Sequence, residues 1–369
     1  MPQPLIAVAG HVCLDIIPTF PIVPASLQEL LVPGKLTKVG AAVLSTGGAV
    51  SNTGLALHRL GTPVVLLGKI GNDLFGEAVL SIFRRHHPAL TEEMIVSDQE
   101  ATSYTIVINP PGIDRIFLHD PGPNDTFSAS DIQLDKLAGV RIFHFGYPPL
   151  VRQMYLNGGS QLVAMLRSIK ALGITISLDM SLPDPNSEAG KVDWQTLIEA
   201  VMPHVDIFSP SIDELLYMLD RPRFVSKQPV DANLLRSLSS RLLALGAAVV
   251  MIKLGEQGAY IRTTDDPVRL QTMGNGVPLA IENWLDRELY EPCFQANVAG
   301  TTGAGDCTIA GLLTGILKGL SIKDAFTAAV AVGGCSVESA DATSGVPHWD
   351  EVTARIKADW RRHPPMIEL

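Results

Sequence analysis

The sequence predicts an α/β fold with a mostly parallel sheet that helices cover on both faces. Short apolar runs rich in β-branched residues alternate along the chain with longer segments in which apolar residues recur at helical spacing. The apolar runs are continuous rather than alternating, which is typical of strands buried on both faces. Strand–helix alternation over this length indicates parallel strands joined by crossover helices.

The predicted strands and helices follow one another in the order that this fold requires. The six predicted strands are PLIAVAG, PVVLLGKIG, VRIFHFGY, GITISLDM, VDIFSPS and AAVVMIKLG. The helical segments between them, several of which end in glycine, are VSNTGLALHRLG, GEAVLSIFRRHH, GGSQLVAMLRSIKALG, DWQTLIEAVMPH, SIDELLYMLD and DANLLRSLSSRLLALG. The tail DEVTARIKADWRRHPPMIEL predicts a last amphipathic helix.

Two segments interrupt this alternation and predict a small second sheet. Residues 36–46 have strand character and no following helix, and residues 102–119 predict a hairpin that turns at Pro110-Pro111-Gly112. Together they are expected to form a lid, the alternative being two surface strands with no role. The remaining ranges, 1–35, 47–101 and 120–369, are assigned to the main domain.

One segment of the main domain lacks a clear pattern. Residues 273–298, which include Trp284 and Tyr290, predict an irregular insertion. It is interpreted as a flap, an oligomer contact or a decoration, and the sequence does not choose among these.

Composition and charge bound the class of protein. The 369 residues are 46% hydrophobic, and the formal net charge of −10 argues against a nucleic-acid or anionic-membrane partner. The four cysteines form no C-x-x-C pair, which favours core thiols in a reducing compartment. The N-terminus has no basic segment before its apolar run, and no apolar run reaches the ~20 residues of a membrane span. A cytoplasmic protein is expected.

The stretch AGTTGAGDCTIAGLLTGIL, residues 299–317, places one carboxylate at the start of an apolar helix. The first N–H groups of a helix have no internal partner and attract anions, and Gly303, Ala304 and Gly305 leave that backbone accessible. A carboxylate beside a bound phosphoryl group can accept the proton of an attacking hydroxyl, so Asp306 is a candidate general base. The alternative is that Asp306 caps the helix and the glycines form a turn.

Other nucleotide-binding and metal-binding motifs are missing from the sequence. It contains no G-x-x-x-x-G-K-[ST] and no G-x-G-x-x-G, so an NAD-dependent Rossmann enzyme has little support. No H-E-x-x-H occurs and no His/Cys cluster has metal-site spacing in the sequence. The nine histidines are therefore expected to be solvated or to belong to the core.

Six motifs in order resemble those of the ribokinase-like (PfkB) carbohydrate kinases. GTTGAGDCTIAGLL resembles the C-terminal signature of the family, and STGGAVSNTGLALHRLG resembles its N-terminal signature. The others are AVAGHVCLDIIP with a substrate aspartate, LGKIGNDLFGE, SPSIDELLYM and MIKLGEQGAYI, and all six lie in register over about residues 5–347. The resemblance implies a three-layer α/β/α sandwich with a small β-sheet lid. It also implies transfer of the ATP γ-phosphate to a hydroxyl of a sugar or nucleoside.

The resemblance assigns roles to individual residues of this sequence. It places the acceptor near Asp15, expected at the end of the first strand, and near Gly47, Gly48, Asn52 and Tyr147. The alternatives from the residues alone are a turn-forming Asp15 and an Asn52 that starts a helix.

On the nucleotide side, the resemblance implies that Glu214 organises the water shell of Mg²⁺. Glu214 also lies in the first turn of a predicted helix, where a surface glutamate is favoured without any metal. The residues predicted to bind the nucleotide are Lys253, Gly255, Gly258 and Thr301. A plain strand–turn–strand would explain the two glycines equally well. Arg115 in the suspected lid is interpreted as a solvated hairpin arginine.

Three departures from the family pattern leave questions open. Gly300 stands where the family usually has an aspartate that helps to bind an activating cation, so dependence on K⁺ is uncertain. Ser211 replaces the asparagine of N-x-x-E, and Lys253 replaces the threonine before L-G-x-x-G. The favoured hypothesis is an active kinase of a small sugar, sugar acid or nucleoside. The alternative is a catalytically impaired protein that senses a sugar or nucleotide, and a homodimer through the lid is a further hypothesis.

Overall fold

The computed structural model describes residues 5–21, 26–111, 116–276 and 280–369. The strands are β1 (Ile6–Gly10), β2 (Cys13–Pro18), β3 (Ala42–Gly47), β4 (Val64–Leu67), β5 (Lys69–Gly71), β6 (Ile95–Ser97), β7 (Tyr104–Ile108), β8 (Ile116–Asp120), β9 (Ile142–Gly146), β10 (Thr175–Leu178), β11 (Ile207–Phe208), β12 (Val249–Lys253), β13 (Ala259–Thr263) and β14 (Glu288–Glu291). The α-helices are α1 (Leu27–Leu30), α2 (Ala49–Arg59), α3 (Leu74–His86), α4 (Arg152–Tyr155), α5 (Ser160–Lys170), α6 (Trp194–Val201), α7 (Ile212–Leu219), α8 (Arg221–Ser226), α9 (Ala232–Ala244), α10 (Pro267–Gln271), α11 (Ala304–Leu317), α12 (Ile322–Ser336) and α13 (Trp349–Lys357).

A central sheet of eight strands has the order β14-β13-β12-β11-β10-β9-β1-β4. The strands from β12 to β4 are parallel, whereas β13 and β14 are antiparallel to their neighbours. All six predicted strands lie in this sheet, although PVVLLGKIG divides into β4 and a separate short strand, β5. Because parallel strands end at the same edge of a sheet, the loops after β1, β9, β10, β11 and β12 meet there.

Helices cover both faces of the sheet, as predicted. Alternate residues of β1 point to opposite faces, so that Ile6 and Val8 enter one apolar core while Ala7 and Ala9 enter the other. The first core contains buried side chains of α2, α3, α11, α12 and α13, and the second contains those of α4, α5, α6, α7 and α9. The three-layer α/β/α sandwich is therefore confirmed.

A second sheet has the strand order β3-β2-β7-β8, and its composition corrects the predicted boundaries. Residues 13–18 were assigned to the main domain, but they form β2, which lies between β3 and β7. Of the predicted 36–46 segment, only residues from Ala42 onward form a strand. The chain leaves the main sheet after Gly10, whose φ of 122° and close approach to the backbone of Gly146 suit glycine alone. Asp15 therefore lies within the second sheet and not at the end of the first strand.

The 102–119 hairpin forms as β7 and β8, which pair antiparallel in register from Tyr104 opposite Asp120 to Ile108 opposite Ile116. Gly112 of the predicted turn and Arg115 lie outside the described residues. Across the described ranges, no helix has the length and apolar character needed to span a membrane.

The predicted irregular insertion at residues 273–298 contains a regular strand and a buried tryptophan that the sequence analysis did not identify. Residues Glu288–Glu291 form β14, the edge strand of the central sheet. Trp284 is fully buried in the first core, and its Nε1 donates to the carbonyl of Leu320 at 3.0 Å. The strand escaped sequence analysis because an edge strand is half-exposed and its ELYE sequence has no continuous apolar run.

Candidate active site

The N-terminus of α11 lies at the sheet edge where the parallel strands end, and its backbone is accessible from outside. Gly303 is the N-cap with φ 72°, and a Cβ there would lie 2.6 Å from the Cβ of Ala342. Only glycine fits this left-handed and crowded position. A Cβ on Gly305 would lie 3.4 Å from Nζ of Lys253, so an ammonium faces the first turn of the helix. The N–H of Ala304 donates a long bond of 3.4 Å to the Thr301 carbonyl. The helix N-terminus and the ammonium together favour an anion.

Asp306 lies in this first turn, and its carboxylate is held by three donors. Its exposed fraction is 2%. Oδ2 accepts hydrogen bonds from Nδ2 of Asn52 at 3.0 Å and from the hydroxyl of Tyr147 at 2.6 Å. Oδ1 accepts from Oγ1 of Thr53 at 3.2 Å. These bonds join α11 to α2 and to the loop after β9, so the carboxylate is not used to cap its own helix.

Tyr147 reaches Asp306 through an unusual backbone conformation. It follows β9 with φ 66° and precedes the 3₁₀ turn Pro148–Leu150. Burial raises the pKa of the Tyr147 hydroxyl well above its ordinary value, and the charge of Asp306 adds to this effect. The hydroxyl is therefore a permanent donor. The sequence predicted Tyr147 as an acceptor contact, and the structure places it beside the candidate base.

Lys253 ends β12 and forms a buried ion pair. Its Nζ lies 2.7 Å from Oδ1 of Asp179, which follows β10 and has no exposed surface. Burial disfavours the ammonium, but the carboxylates of Asp179, Glu214 and Asp306 outweigh it and raise the pKa of Lys253. Lys253 is thus a fixed positive charge at the centre of three acidic groups.

Glu214 combines a structural role with a position beside this charge cluster. It forms a capping box with Ser211, because the Ser211 N–H donates to Oε2 of Glu214 at 2.6 Å and the Glu214 N–H donates to Oγ of Ser211 at 3.2 Å. The first-turn alternative is therefore realised in the structure. The side chain at position 211 has a structural use here, as the N-cap of α7.

Several oxygen atoms near the strand ends have the character that a hydrated Mg²⁺ requires. Oδ2 of Asp179, Oγ of Ser181 and Oγ of Ser209 are buried without a hydrogen-bond partner in the described part of the chain. Buried polar atoms are costly to leave unpaired, so their presence indicates a polar occupant. Mg²⁺ is held through carboxylates, waters and substrate phosphates, and this oxygen set fits that chemistry.

On the acceptor side, the two predicted glycines make room for Asp15 and for a histidine. A Cβ on Gly47 would lie 2.5 Å from Oδ2 of Asp15, and a Cβ on Gly48, which has φ 88°, would lie 2.4 Å from Nδ1 of His11. Burial raises the pKa of Asp15 to about 6. Two side chains donate to this carboxylate: the Cys13 thiol, whose Sγ lies 3.4 Å from Oδ1, and the hydroxyl of Thr105.

His11 is a residue of this region that sequence analysis did not select. Its exposed fraction is 3%, and its ring centroid lies 6.3 Å from that of Tyr147 and 5.2 Å from that of His119. Burial lowers the pKa of His11 to about 3, so the ring is neutral. It follows Gly10 at the carboxyl end of β1, and this position at the ligand-binding edge of a parallel sheet was the signal available in the sequence.

Of the remaining residues predicted to bind the nucleotide, Gly255 and Thr301 are exposed, whereas Gly258 is buried. Gly255 begins a 3₁₀ turn between β12 and β13 and Gly258 follows it, with φ 60° and 99°. A Cβ on Gly258 would lie 2.1 Å from the carbonyl oxygen of Glu291, so the turn itself requires this glycine. Among the residues that the structure describes, no atom lies within 4 Å of a Cβ placed on Gly255, and Thr301 is exposed. Their roles toward a nucleotide stay predictions.

A buried carboxylate at an anion-attracting helix N-terminus is the arrangement of an enzyme that transfers a phosphoryl group to an alcohol. The profile of the pfkB family carbohydrate kinases matches residues 4–349. The chain therefore belongs to this family, and the resemblance found in its motifs is confirmed.

Curated relatives are similar at low identity over most of the chain. An uncharacterized sugar kinase from Archaeoglobus fulgidus is 26% identical over 293 residues, which is 79% of this chain and 98% of that protein. Fructokinase-2 of rice is 25% identical over 78% of this chain and 75% of its own length. The 2-dehydro-3-deoxygluconokinase of Bacillus subtilis is 24% identical over 89% and 92%, respectively.

Solved structures share the fold at 17–18% identity. The ribokinase of Arabidopsis thaliana, complexed with ribose and ATP, has a TM-score of 0.71 and covers 96% of this chain and 99% of its own. The fructokinase of Xylella fastidiosa with bound ATP has a TM-score of 0.72 and covers 96% and 98%. These similarities establish the ribokinase-like fold. They do not assign roles to single residues, which are argued from the geometry of this chain.

Proposed function

We propose that this protein transfers the γ-phosphate of ATP to a hydroxyl of a small sugar, sugar acid or nucleoside. The observation behind the proposal is the position of Asp306, buried in the first turn of α11 and held by Asn52, Thr53 and Tyr147. All three partners are donors, so the carboxylate keeps free lone pairs for the proton of an acceptor hydroxyl.

The other residues of the site have complementary roles in the proposed reaction. The N–H groups of residues 303–306 stabilise the charge of the migrating phosphoryl group, and Lys253 adds a positive charge beside them. Mg²⁺, when bound with ATP, neutralises phosphate charge, and Asp179, Ser181, Ser209 and Glu214 would hold its water shell. Dependence on K⁺ stays open, because Gly300 offers no carboxylate.

The second sheet is proposed to act as the lid. It contains Asp15, so closure over the acceptor would bring a carboxylate to its hydroxyls and exclude water from the phosphoryl group. Val43, Leu44, Phe117 and Leu118 of this sheet each expose about half of their surface, at 53%, 52%, 53% and 53%. Leu44 and Leu118 lie on one face of the sheet, and Val43 and Phe117 lie on the other. These exposed apolar side chains support the proposed homodimer, which analytical ultracentrifugation of the whole chain would test.

The first test is an ADP-release assay with ATP, Mg²⁺ and a panel of pentoses, hexoses, sugar acids and nucleosides, each with K⁺ or with Na⁺. At least one acceptor is expected to give release, and Asp306→Asn should lower kcat by about 10²–10⁴-fold because general base catalysis is lost. Asp324→Asn, on the exposed start of α12, is the matched control and should keep full activity.

Two results would contradict the proposal in different ways. Near-normal turnover by Asp306→Asn would remove the assignment of the base. Silence over the whole panel, together with thermal stabilisation by a sugar or nucleotide, would instead favour the sensing protein, to which the substitutions at Gly300, Ser211 and Lys253 already point.

A further inference from the structure

Three metal-ligating side chains converge where the second sheet leaves the main sheet. His11 lies between β1 and β2, Cys13 begins β2, and His119 lies on β8. One ligand atom from each lies within 4.8 Å of the other two. The proposed phosphoryl transfer uses none of these atoms, and 108 residues separate His11 from His119 in the sequence.

The spacing of these atoms is close to that of a tetrahedral site. Nε2 of His11 and Nε2 of His119 lie 3.4 Å apart. With metal–nitrogen bonds of about 2.0–2.1 Å, two nitrogen ligands of a tetrahedral zinc ion are roughly 3.4 Å apart. Sγ of Cys13 lies within 4.8 Å of one ring nitrogen of each histidine, so the thiol needs to approach by up to roughly 1 Å to reach a metal–sulfur bond of about 2.3 Å.

A hydrogen bond to Thr105 orients the imidazole ring of His119 for metal binding. Nδ1 of His119 lies 2.9 Å from Oγ1 of Thr105. When the Thr105 oxygen accepts the Nδ1 proton, Nε2 keeps a free lone pair directed toward His11. Metal-bound histidines in proteins regularly donate their second N–H to such a partner.

We propose that His11, Cys13 and His119 form a binding site for a zinc-type transition-metal ion. Two imidazoles and a thiolate are donors for such an ion, whereas Mg²⁺ prefers oxygen. His119 is solvent-exposed and gives the ion an entry path, and the fourth position is left for water. Binding replaces the S–H bond of Cys13 by a metal–sulfur bond, and the proton passes to the solvent.

The position of this site predicts that a bound metal ion inhibits the proposed kinase reaction. The ion would tie β8 of the second sheet to the connection between β1 and β2 and to Cys13, which is two residues from Asp15, and would restrict both the lid and the acceptor pocket. This consequence rests on the proposed kinase function, whereas metal binding itself does not.

The binding test uses the chelator-treated full chain and Co²⁺, whose absorption spectrum reports geometry and thiolate ligation. The wild type is expected to bind one ion with the intense visible bands of a tetrahedral site and a sulfur-to-cobalt charge-transfer band, and Zn²⁺ should bleach both. Cys13→Ser should lose the charge-transfer band. His119→Asn, at an exposed position that does not threaten folding, should weaken binding by about 10–100-fold. Cys293→Ser removes a half-buried thiol outside the cluster and should leave the spectrum unchanged.

The proposal is overturned if the wild type shows only weak octahedral bands, or if Cys13→Ser and His119→Asn bind as the wild type does. In steady-state kinetic assays, Zn²⁺ should raise the KM of the acceptor, and a chelator should reverse this effect. His119→Asn should need at least about tenfold more Zn²⁺ for the same inhibition. Zinc inhibition of equal strength in His119→Asn would remove the inhibitory role. If no acceptor is phosphorylated at all, the cobalt spectra still decide whether the site exists.

Discussion

The hydroxyl of Tyr147 donates a 2.6 Å hydrogen bond to Oδ2 of Asp306, across 159 residues of sequence. The bond connects the end of β9, in the middle of the sheet, with the first turn of α11. It is charge-assisted and part-buried, so it is among the stronger hydrogen bonds that a side chain can form. Together with Asn52 and Thr53, it fixes the direction in which the carboxylate offers its remaining lone pairs.

Tyr147→Phe should therefore lower kcat without changing the binding of ATP. A hydrogen bond to a charged group contributes about 1.5–3 kcal/mol, which corresponds to a loss of about 10–100-fold in kcat. The measurement is steady-state ADP release with the acceptor found in the panel, and the expected split is a lower kcat at an unchanged KM for ATP. Tyr155→Phe, against Trp194 in the opposite core, is the control. Equal kcat in Tyr147→Phe and the wild type would show that Asn52 and Thr53 position the base alone.

The Lys253–Asp179 pair predicts a strong effect on stability. Lys253→Met leaves Asp179 buried without its cation, and breaking a buried ion pair from one side costs about 3–5 kcal/mol. The free energy of unfolding, measured by urea denaturation at neutral pH, should fall by that order.

The double variant Asp179→Asn/Lys253→Met separates charge from packing. It removes the unpaired carboxylate, so it should recover a large part of the stability lost in Lys253→Met, while turnover stays low because the positive charge beside α11 is gone. If the double variant is less stable than Lys253→Met, the unpaired charge of Asp179 is not the cause of the lost stability.

Much of the architecture could be predicted because buried parallel strands leave a clear pattern. The parallel strands of the central sheet (β1, β4, β9, β10, β11 and β12) lie in continuous apolar runs, and the helices between them have apolar stripes that pack on either core. By contrast, β2 follows β1 after only two residues, and the sequence does not show that Gly10 directs the chain into another sheet. The half-exposed strand β14 was missed because its pairing with β13, and not its own pattern, makes it a strand.

The candidate site could be predicted only where its residues stand next to one another in the sequence. Gly303, Gly305 and Asp306 stand together in the sequence, so an anion site with a carboxylate could be inferred. Thr53 was not found because its bond to Asp306 spans 253 residues and a threonine inside a helix is common. Asp179 was likewise hidden, since a single aspartate after a strand is unremarkable until the fold brings Lys253 beside it.

Gly303 gives a prediction about backbone strain. Gly303→Ala places a Cβ at φ 72° and 2.6 Å from the Cβ of Ala342, so the N-terminus of α11 must shift. We expect the KM for ATP to rise and the free energy of unfolding to fall by about 1–3 kcal/mol. Gly158→Ala has φ 64° with open space around the new methyl group, so it measures the dihedral penalty alone. Equal losses in the two variants would show that crowding against Ala342 is unimportant.

The raised pKa of Asp15 makes both stability and acceptor binding depend on pH. In the folded state the pKa of Asp15 is about 6 because the side chain is buried, whereas the ordinary value for an aspartate is 3.8. Between these values the folded state binds more protons than the unfolded state, so the contribution of Asp15 to stability is present at low pH and is lost as pH rises through 6. Asp15→Asn should therefore raise the melting temperature at pH 8 more than at pH 5.

Acceptor binding is expected to become stronger as pH rises, opposite to the effect on stability, because the ionised carboxylate accepts hydrogen bonds from the hydroxyls of the acceptor. Below pH 6 the KM of the acceptor should rise by about tenfold per pH unit, while the KM for ATP changes little. The profile is measured with a chelator of transition metals present, and with excess Mg²⁺. Asp15→Asn should have a raised KM for the acceptor at every pH, and its plot of log KM against pH should show no change of slope near pH 6. A bend that persists in Asp15→Asn would assign the titration to another group and remove Asp15 from acceptor binding.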